Sequence, residues 1–354
     1  MTFSTGDQVY KYSLISRIGS GEFSQVWLVK DLTLNKDVAL KILESGKIGV
    51  IEQLNEAQVG HRLSHPNVVR VHGADVIEYQ DSEIVCIAMD YLDKGSVLGE
   101  VNSKNFVPLN MVMPYARQAL RGLDYLHEVD IYHGDIKPQN IMIGESGQAM
   151  LCDYGISCDG QGGIDVYWRY AYGPHVAPES LSTDKINRKT DVYQMGLTIF
   201  RLINGIGEVR SEYEMVTPDE FNESVTSGAL LSKLKFQPFV PTNLRRIILK
   251  SISTDPRARY SSALEMQRAL EAINFSGSWS VDARGEWIGT DSSWVYTFDI
   301  VHRSATRSDF IAMRKNRSSG RTQSISKYTM RSLTNAQIAA QQKKFMQDVV
   351  LGKV

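Results

Sequence analysis

The chain has 354 residues, 42% hydrophobic and 22% charged, with a formal net charge of −1 at pH 7. Such a chain can build one large catalytic unit plus a small addition, and its composition excludes wholesale disorder or a chain-wide bias toward nucleic acid. Cys86, Cys152 and Cys158 are too few and too scattered for a disulfide framework or a zinc site, and no apolar run reaches the roughly 18 residues of a membrane span.

Reduced thiols are expected, and the first seven residues lack the basic start and apolar core of a signal peptide. No membrane association and a cytoplasmic location are the expectation. In chain order, residues 12–18 and 26–30 read as two strands around Gly19-Ser20-Gly21-Glu22-Phe23-Ser24-Gln25-Val26. Glycine lets a backbone approach phosphates and leaves N–H groups free to bind them. Alone, two glycines between strands more often mark a hairpin, but the next segment reverses those odds. It is Val38-Ala39-Leu40-Lys41, an apolar strand ending in a lysine, followed by a helix with Glu52 and Glu56 and then Leu63-Ser64-His65-Pro66-Asn67-Val68-Val69.

Residues 84–89 form a mostly apolar strand leading into Asp90-Tyr91-Leu92-Asp93-Lys94-Gly95-Ser96. Ala116, Ala119, Leu120, Leu123 and Leu126 then recur at helical spacing, with Arg117, Arg121 and Asp124 on the other face. Tyr132-His133-Gly134-Asp135-Ile136-Lys137-Pro138-Gln139-Asn140 follows. Next come two apolar runs, 141–143 and 149–152, around the turn Gly144-Glu145-Ser146-Gly147, and then Asp153-Tyr154-Gly155. This stretch offers a base, a cation and an amide near a second carboxylate. Phosphoryl transfer needs that set: a group to orient the acceptor hydroxyl, metal ligands, and positive charge against the phosphate.

Further on stand a Gly- and Tyr-rich segment ending in Ala177-Pro178-Glu179, the run Asp191-Val192-Tyr193-Gln194-Met195-Gly196, and a helical pattern over 244–251. Thr254-Asp255-Pro256-Arg257-Ala258-Arg259-Tyr260 and an amphipathic helix over 262–273 complete the series. Taken in order, the motifs from Gly19 to Arg259, about three quarters of the chain, resemble those of eukaryotic-type (Hanks-type) serine/threonine protein kinases. A lone His-Gly-Asp would be a weak signal; the ordered series is a specific one. The compact ending and missing eukaryotic insertions favour a bacterial source.

The resemblance implies an α+β, bilobal protein-kinase fold: a kinase domain over 1–273, with a small β-rich N-lobe (about 8–92) carrying one helix and a larger helical C-lobe (about 93–273). It implies ATP and Mg²⁺ as cofactors and protein hydroxyls as acceptors, this chain's own included. Gly19, Gly21, Val26 and Ala39 would enclose ATP, and Lys41 would hold its α- and β-phosphates, paired with Glu56 (Glu52 is the fallback). Adenine would bond to the backbone at Asp90 and Leu92, beside Met89. Asp135 would orient the acceptor hydroxyl and take its proton, Lys137 would steady the transferring group, and Asn140 and Asp153 would bind Mg²⁺. His133 would be a packing and hydrogen-bonding residue without a catalytic role. Asp191 would brace the catalytic loop, and Arg259 would pair with Glu179.

Four departures stand out. Ser24 replaces the third glycine, and Tyr154 replaces the usual Phe. Gly134 replaces the arginine that pairs with a phosphate on the activation segment, so activity is expected without phosphorylation of Ser157, Tyr167, Tyr170 or Tyr172. Residues 171–177 lack the usual Thr, which leaves tyrosine open as an acceptor although Lys137 is the Ser/Thr-kinase habit.

Beyond residue 273 the resemblance stops. Residues 274–354 carry about 12 Lys/Arg against about 6 Asp/Glu, whereas residues 1–273 carry about 27 against about 34. Trp279, Trp287 and Trp294 and the alternation over 294–300 predict short strands, and a helix capped by Thr334 should run to Val350. A small basic α+β domain is expected. Basic and aromatic residues mix over 303–331, a composition nucleic acid can use, but a solvated basic face or a docking surface for an acidic protein partner is the preferred reading. Ser318, Ser319, Ser324 and Ser326 near arginines are candidate autophosphorylation targets. Two rival functions are a small-molecule phosphotransferase, whose loop is also His-Gly-Asp, and an ATP-binding pseudokinase scaffold. Lys137 and the Ala177, Asp191 and Arg259 motifs oppose the first; the complete set Lys41, Glu56, Asp135, Asn140 and Asp153 opposes the second.

Overall fold

The computed structural model describes residues 2–20, 24–44, 50–101, 106–154, 166–167, 173–183, 185–205 and 207–354. Gly21, Gly155, Cys158, Ser157, Tyr170 and Tyr172 lie outside the described residues, as do the side chains of Glu52, Glu56 and Tyr167. The chain divides into two compact units, one of residues 1–97 and 118–194, the other of residues 98–117 and 195–354.

The first unit is built on an antiparallel sheet in the order β1-β2-β3-β4-β6-β5. Its strands are β1 (Gln8–Val9), β2 (Tyr12–Ser20), β3 (Ser24–Asp31), β4 (Lys36–Glu44), β5 (Val71–Tyr79) and β6 (Ser82–Met89), with helix α1 (Val50–Arg62) between β4 and β5. Alternation sorts β3 and β4 into two faces. Trp27, Val29, Val38, Leu40 and Ile42 join Phe3, Val9, Tyr12, Leu14, Ile84, Cys86 and Ala88 in one apolar cluster. The opposite face carries Val26, Ala39 and Lys41. Strand β2 runs two residues past the expected end because Gly19 and Ser20 still pair with Val26 and Gln25.

Helix α2 (Leu109–Glu128) forms where the apolar spacing predicts it, and Ala116, Ala119, Leu120, Leu123 and Leu126 are fully buried. Strands β7 (Ile141–Ile143) and β8 (Ala149–Leu151) make the expected hairpin. Strands β9 (Val166–Tyr167) and β10 (Lys185–Ile186), among those the sequence did not reveal, pair antiparallel on either side of α3 (Ser180–Thr183). Helix α4 (Arg188–Asn204) follows.

The second unit holds α5 (Gly207–Met215), α6 (Pro218–Thr226), α7 (Ala229–Lys233), α8 (Thr242–Ser251) and α9 (Ala263–Glu271). Thr217 and Glu220 close a capping box on α6, and Ser262 caps α9. Residues 274–354 add the sheet β11 (Ser278–Val281), β12 (Trp287–Thr290), β13 (Trp294–His302), β14 (Ser308–Asn316), β15 (Thr322–Ser324), with β16 (Met330–Leu333) also on β14. Helix α10 (Asn335–Val350) covers one face, capped as expected by Thr334 with Gln337. Its Phe345 meets the rings of Trp279, Tyr296, Phe298, Phe310 and Tyr328. This sheet-and-helix layer packs on its own unit: Trp287 stacks on Phe106 at 5.3 Å and meets Phe239 at 6.0 Å, and Gln347 donates to the Pro238 and Val240 carbonyls. Among the described residues, no helix is long and apolar enough to cross a membrane.

Candidate active site

Strand register gathers the first group of predicted residues on one sheet face. Gly19 pairs with Val26, Val26 with Lys41, and Ala39, two residues from Lys41, with Met89. Cross-strand partners share a face, so these side chains line the surface opposite the apolar cluster. Beyond Met89, the Asp90 N–H donates to the Arg70 carbonyl, and its carboxylate meets His72 at 2.9 Å. The Asp90 carbonyl and the Leu92 N–H bond to none of the described residues, which leaves one acceptor and one donor of the kind an adenine edge needs.

Lys41 Nζ lies 3.2 Å from Asp153 Oδ1, and the ammonium holds the Asp153 carboxyl below the usual carboxylate range against the opposing effect of burial. Asp153 itself sits at φ +57°, a left-handed conformation uncommon for non-glycine residues, of which Asp is one of the more tolerant. Its surroundings are well defined. Leu151 N–H donates to Asn67 O, Val69 N–H to Leu151 O, and Cys152 N–H to Asn140 O. Asn67 Nδ2 donates to Ala149 O at 2.7 Å. The hydroxyl that distinguishes Tyr154 from Phe donates to Val69 O at 2.9 Å in a buried setting.

Asp135 is buried, and its Oδ2 accepts from Lys137 Nζ at 2.5 Å and from Asn140 Nδ2 at 2.9 Å. Asn140 Nδ2 also donates to the Asp135 carbonyl. With its nitrogen so engaged, the Asn140 amide oxygen is the atom left for a cation. Asn140 and Asp153 thus supply hard oxygen donors, the kind Mg²⁺ prefers. Among the described residues no group of three or more His, Cys, Asp or Glu side chains forms a metal cage.

The loop is held from behind by α4. Fully buried Asp191 accepts from the N–H groups of His133 and Gly134 at 2.9 and 2.8 Å and meets His127 Nε2 at 2.7 Å, the expected brace. His133 is fully buried; burial pushes its pKa down, and its Nδ1 accepts from the Asp135 N–H. A neutral packing role agrees with that setting. The expected Arg259–Glu179 pairing stays an expectation: Glu179 accepts from Thr190, and Arg259 donates to the Ser253 carbonyl at 2.7 Å.

Two contributors went unassigned in the sequence. Gln194, one turn after Asp191, and His175, two residues before Ala177, bond to the loop backbone at Gly134 and Ile136. The i, i+3 spacing from Asp191 places Gln194 on the same face of α4, but only the fold shows that this face meets the loop.

The protein kinase domain family matches residues 12–272 of the chain. The chain is 26% identical over 277 residues to serine/threonine-protein kinase PknB of Mycobacterium leprae, covering 75% of this chain and 43% of that protein. It is 26% identical over 267 residues to serine/threonine-protein kinase PrkC of Bacillus subtilis, covering 74% and 40%. Against cAMP-dependent protein kinase type 3 of Saccharomyces cerevisiae it is 26% identical over 249 residues, covering 69% and 59%. The chain therefore spans about half the length of these relatives.

Proposed function

This chain belongs to the protein kinase family, and we propose that it moves the γ-phosphate of ATP to serine or threonine hydroxyls of proteins, its own chain among them. The observation that carries the reading is Asp135, a buried carboxylate fixed by Lys137 and Asn140. A carboxylate held in place by these two groups suits a residue that orients an incoming hydroxyl and takes its proton while the phosphate approaches Lys137. The acceptor oxygen forms the new P–O bond, the bond from the γ-phosphorus to the β,γ-bridging oxygen breaks, and ADP leaves. Lys41 binds the α- and β-phosphates, and Glu56 on α1 is its proposed partner. Gly19, Gly21, Val26 and Ala39 enclose the nucleotide, and the Asp90 carbonyl and Leu92 N–H take the adenine edge. Asn140 and Asp153 hold Mg²⁺, which when bound neutralises phosphate charge.

The Ser/Thr preference rests on Lys137 and on the names of the relatives. Activity without phosphorylation of the activation segment is part of the proposal, since Gly134 offers no guanidinium to a phosphate there. Residues 274–354, with their basic excess, are proposed to dock an acidic protein segment. A cytoplasmic location is proposed alongside.

The test is incubation with labelled Mg-ATP, alone, with a generic basic protein and with small alcohols, beside Asp135→Asn, followed by phosphoamino-acid analysis. Label on Ser or Thr that falls at least ~100-fold in the variant is the expected result. Label on Tyr would overturn the acceptor class. ATP binding without label would favour a scaffold, and label on small alcohols alone a small-molecule phosphotransferase.

A further inference from the structure

Each of the six backbone polar groups from Gly134 to Ile136 has a partner. The Gly134 N–H goes to Asp191 and the Gly134 carbonyl to Gln194 Nε2 at 2.6 Å. Asp135 N–H goes to His133 and its carbonyl to Asn140. The Ile136 N–H donates to Gln194 Oε1 at 2.9 Å, and the Ile136 carbonyl lies 2.8 Å from His175 Nδ1. Since a carbonyl only accepts, His175 must carry its proton on Nδ1.

Gln194 is 1% exposed and His175 fully buried. The Gln194 amide uses its donor on the peptide before Asp135 and its acceptor on the peptide after it, so one rigid planar group spans the residue. His175 grips the next carbonyl from the turn Gly173–His175, which leads into Ala177-Pro178-Glu179. Buried bonds of this type hold their groups strongly, because a lost partner leaves a desolvated polar atom behind.

We propose that Gln194 and His175 are positioning residues for Asp135: together they fix the backbone on both sides of it, and His175 ties that geometry to the segment preceding Ala177. The proposal rests on the kinase reading for its rate consequence, but the clamp itself can be tested without it. Catalytic geometry is intolerant of small shifts; a displacement of about 1 Å can cost on the order of 100-fold in rate.

The experiment compares Gln194→Leu, His175→Phe and His175→Gln with the unaltered protein. Steady-state kinetics with Mg-ATP and hydrogen exchange of the peptide covering residues 131–140 are measured on each. Leu keeps the volume of Gln194 and removes both bonds; Gln at residue 175 can still donate to the Ile136 carbonyl. The expected result is a kcat lower by roughly 10- to 100-fold in Gln194→Leu and His175→Phe, with KM for Mg-ATP within about twofold and substantial recovery in His175→Gln. Exchange at 131–140 should rise in the two impaired variants by more than the fall in melting temperature of the whole chain accounts for. A kcat within twofold of the unaltered protein, or a loss matched by general unfolding, would overturn the proposal. If the unaltered protein transfers no phosphate, the kinase reading fails by that fact. Exchange then decides the clamp: a rise confined to 131–140 supports it, and unchanged exchange overturns it.

Discussion

Ile186 occupies the space that a side chain on Gly134 would need. A Cβ at residue 134 would stand 2.7 Å from Ile186 Cδ1, and Gly134 adopts φ +74°. Ile186 is buried beside Tyr132 and belongs to β10, which pairs with β9. Where the kinase motif that this loop resembles has an arginine, this chain has a glycine closed in by Ile186 and a two-residue ladder. Gly134→Ala should therefore cost about 1–2 kcal/mol in urea denaturation, from the left-handed backbone alone, plus the contact with Ile186. Adding Ile186→Ala should relieve the second part, giving a double variant less destabilised than the sum of the two single ones. Strict additivity would show that the contact carries no energy.

The Tyr154 hydroxyl links Asp153's neighbour to the carbonyl of Val69. Tyr154→Phe leaves that carbonyl without its partner and should lower stability by about 1 kcal/mol, read as a fall in melting temperature. Because Phe keeps the ring, transfer to protein should drop only a few-fold. A stability equal to the parent's would mean the bond contributes nothing net.

Glu265 closes the start of α9. Its Oε2 accepts from both the N–H and the hydroxyl of Ser261 at 2.6 Å, and Lys250 lies 3.2 Å from Oε1. The Ser261 bonds, chiefly, lower its pKa from 4.5 to about 2. A carboxyl depressed on folding stabilises fully above its unfolded value; that contribution shrinks as pH falls below 4.5 and is gone once pH passes about 2. Glu265→Gln should thus be less stable than the parent at pH 7, with the gap narrowing from pH 5 to pH 3. A gap constant across that range would contradict the assignment. The group is half exposed, so the effect should be modest.

Trp287 joins residues 274–354 to the segments that lead into α2 and α8 through Phe106 and Phe239. Trp287→Ala should cost about 2–3 kcal/mol, below the range for a fully buried Trp because the ring is only half-buried. Ending the chain at residue 273 should cost more, since the Gln347 bonds to Pro238 and Val240 go with it. Calorimetry showing an unchanged transition for the helical unit after truncation would refute this.

Much of the site was legible because its residues sit at short, fixed spacings: Asp135, Lys137 and Asn140 within one loop, Lys41 at the end of an apolar strand, Asp153 just after a hairpin. Apolar runs likewise exposed several strands, and helical spacing exposed α2. What escaped had no local pattern. Gln194 and His175 bond to backbone atoms, which every residue possesses, so nothing in the partner's identity marks them. Strands β9 and β10 are two residues long, too short for alternation to register. In the last 81 residues (274–354) the strands at Trp279, Trp287 and Trp294 and helix α10 could be read from their tryptophans, alternation and cap, but β14, β15 and β16 and the seat on Phe106 and Phe239 could not.

That aromatic seat bears on inheritance. Trp287 answers to two rings located some 180 and 50 residues earlier in the chain. A smaller ring at Phe239 would open a void under Trp287, and a smaller Trp287 would bare Phe106 to water. Substitutions at these three positions should therefore arise together among close descendants of this sequence. The part it shares with its kinase relatives is no longer free to drift apart from the part it does not.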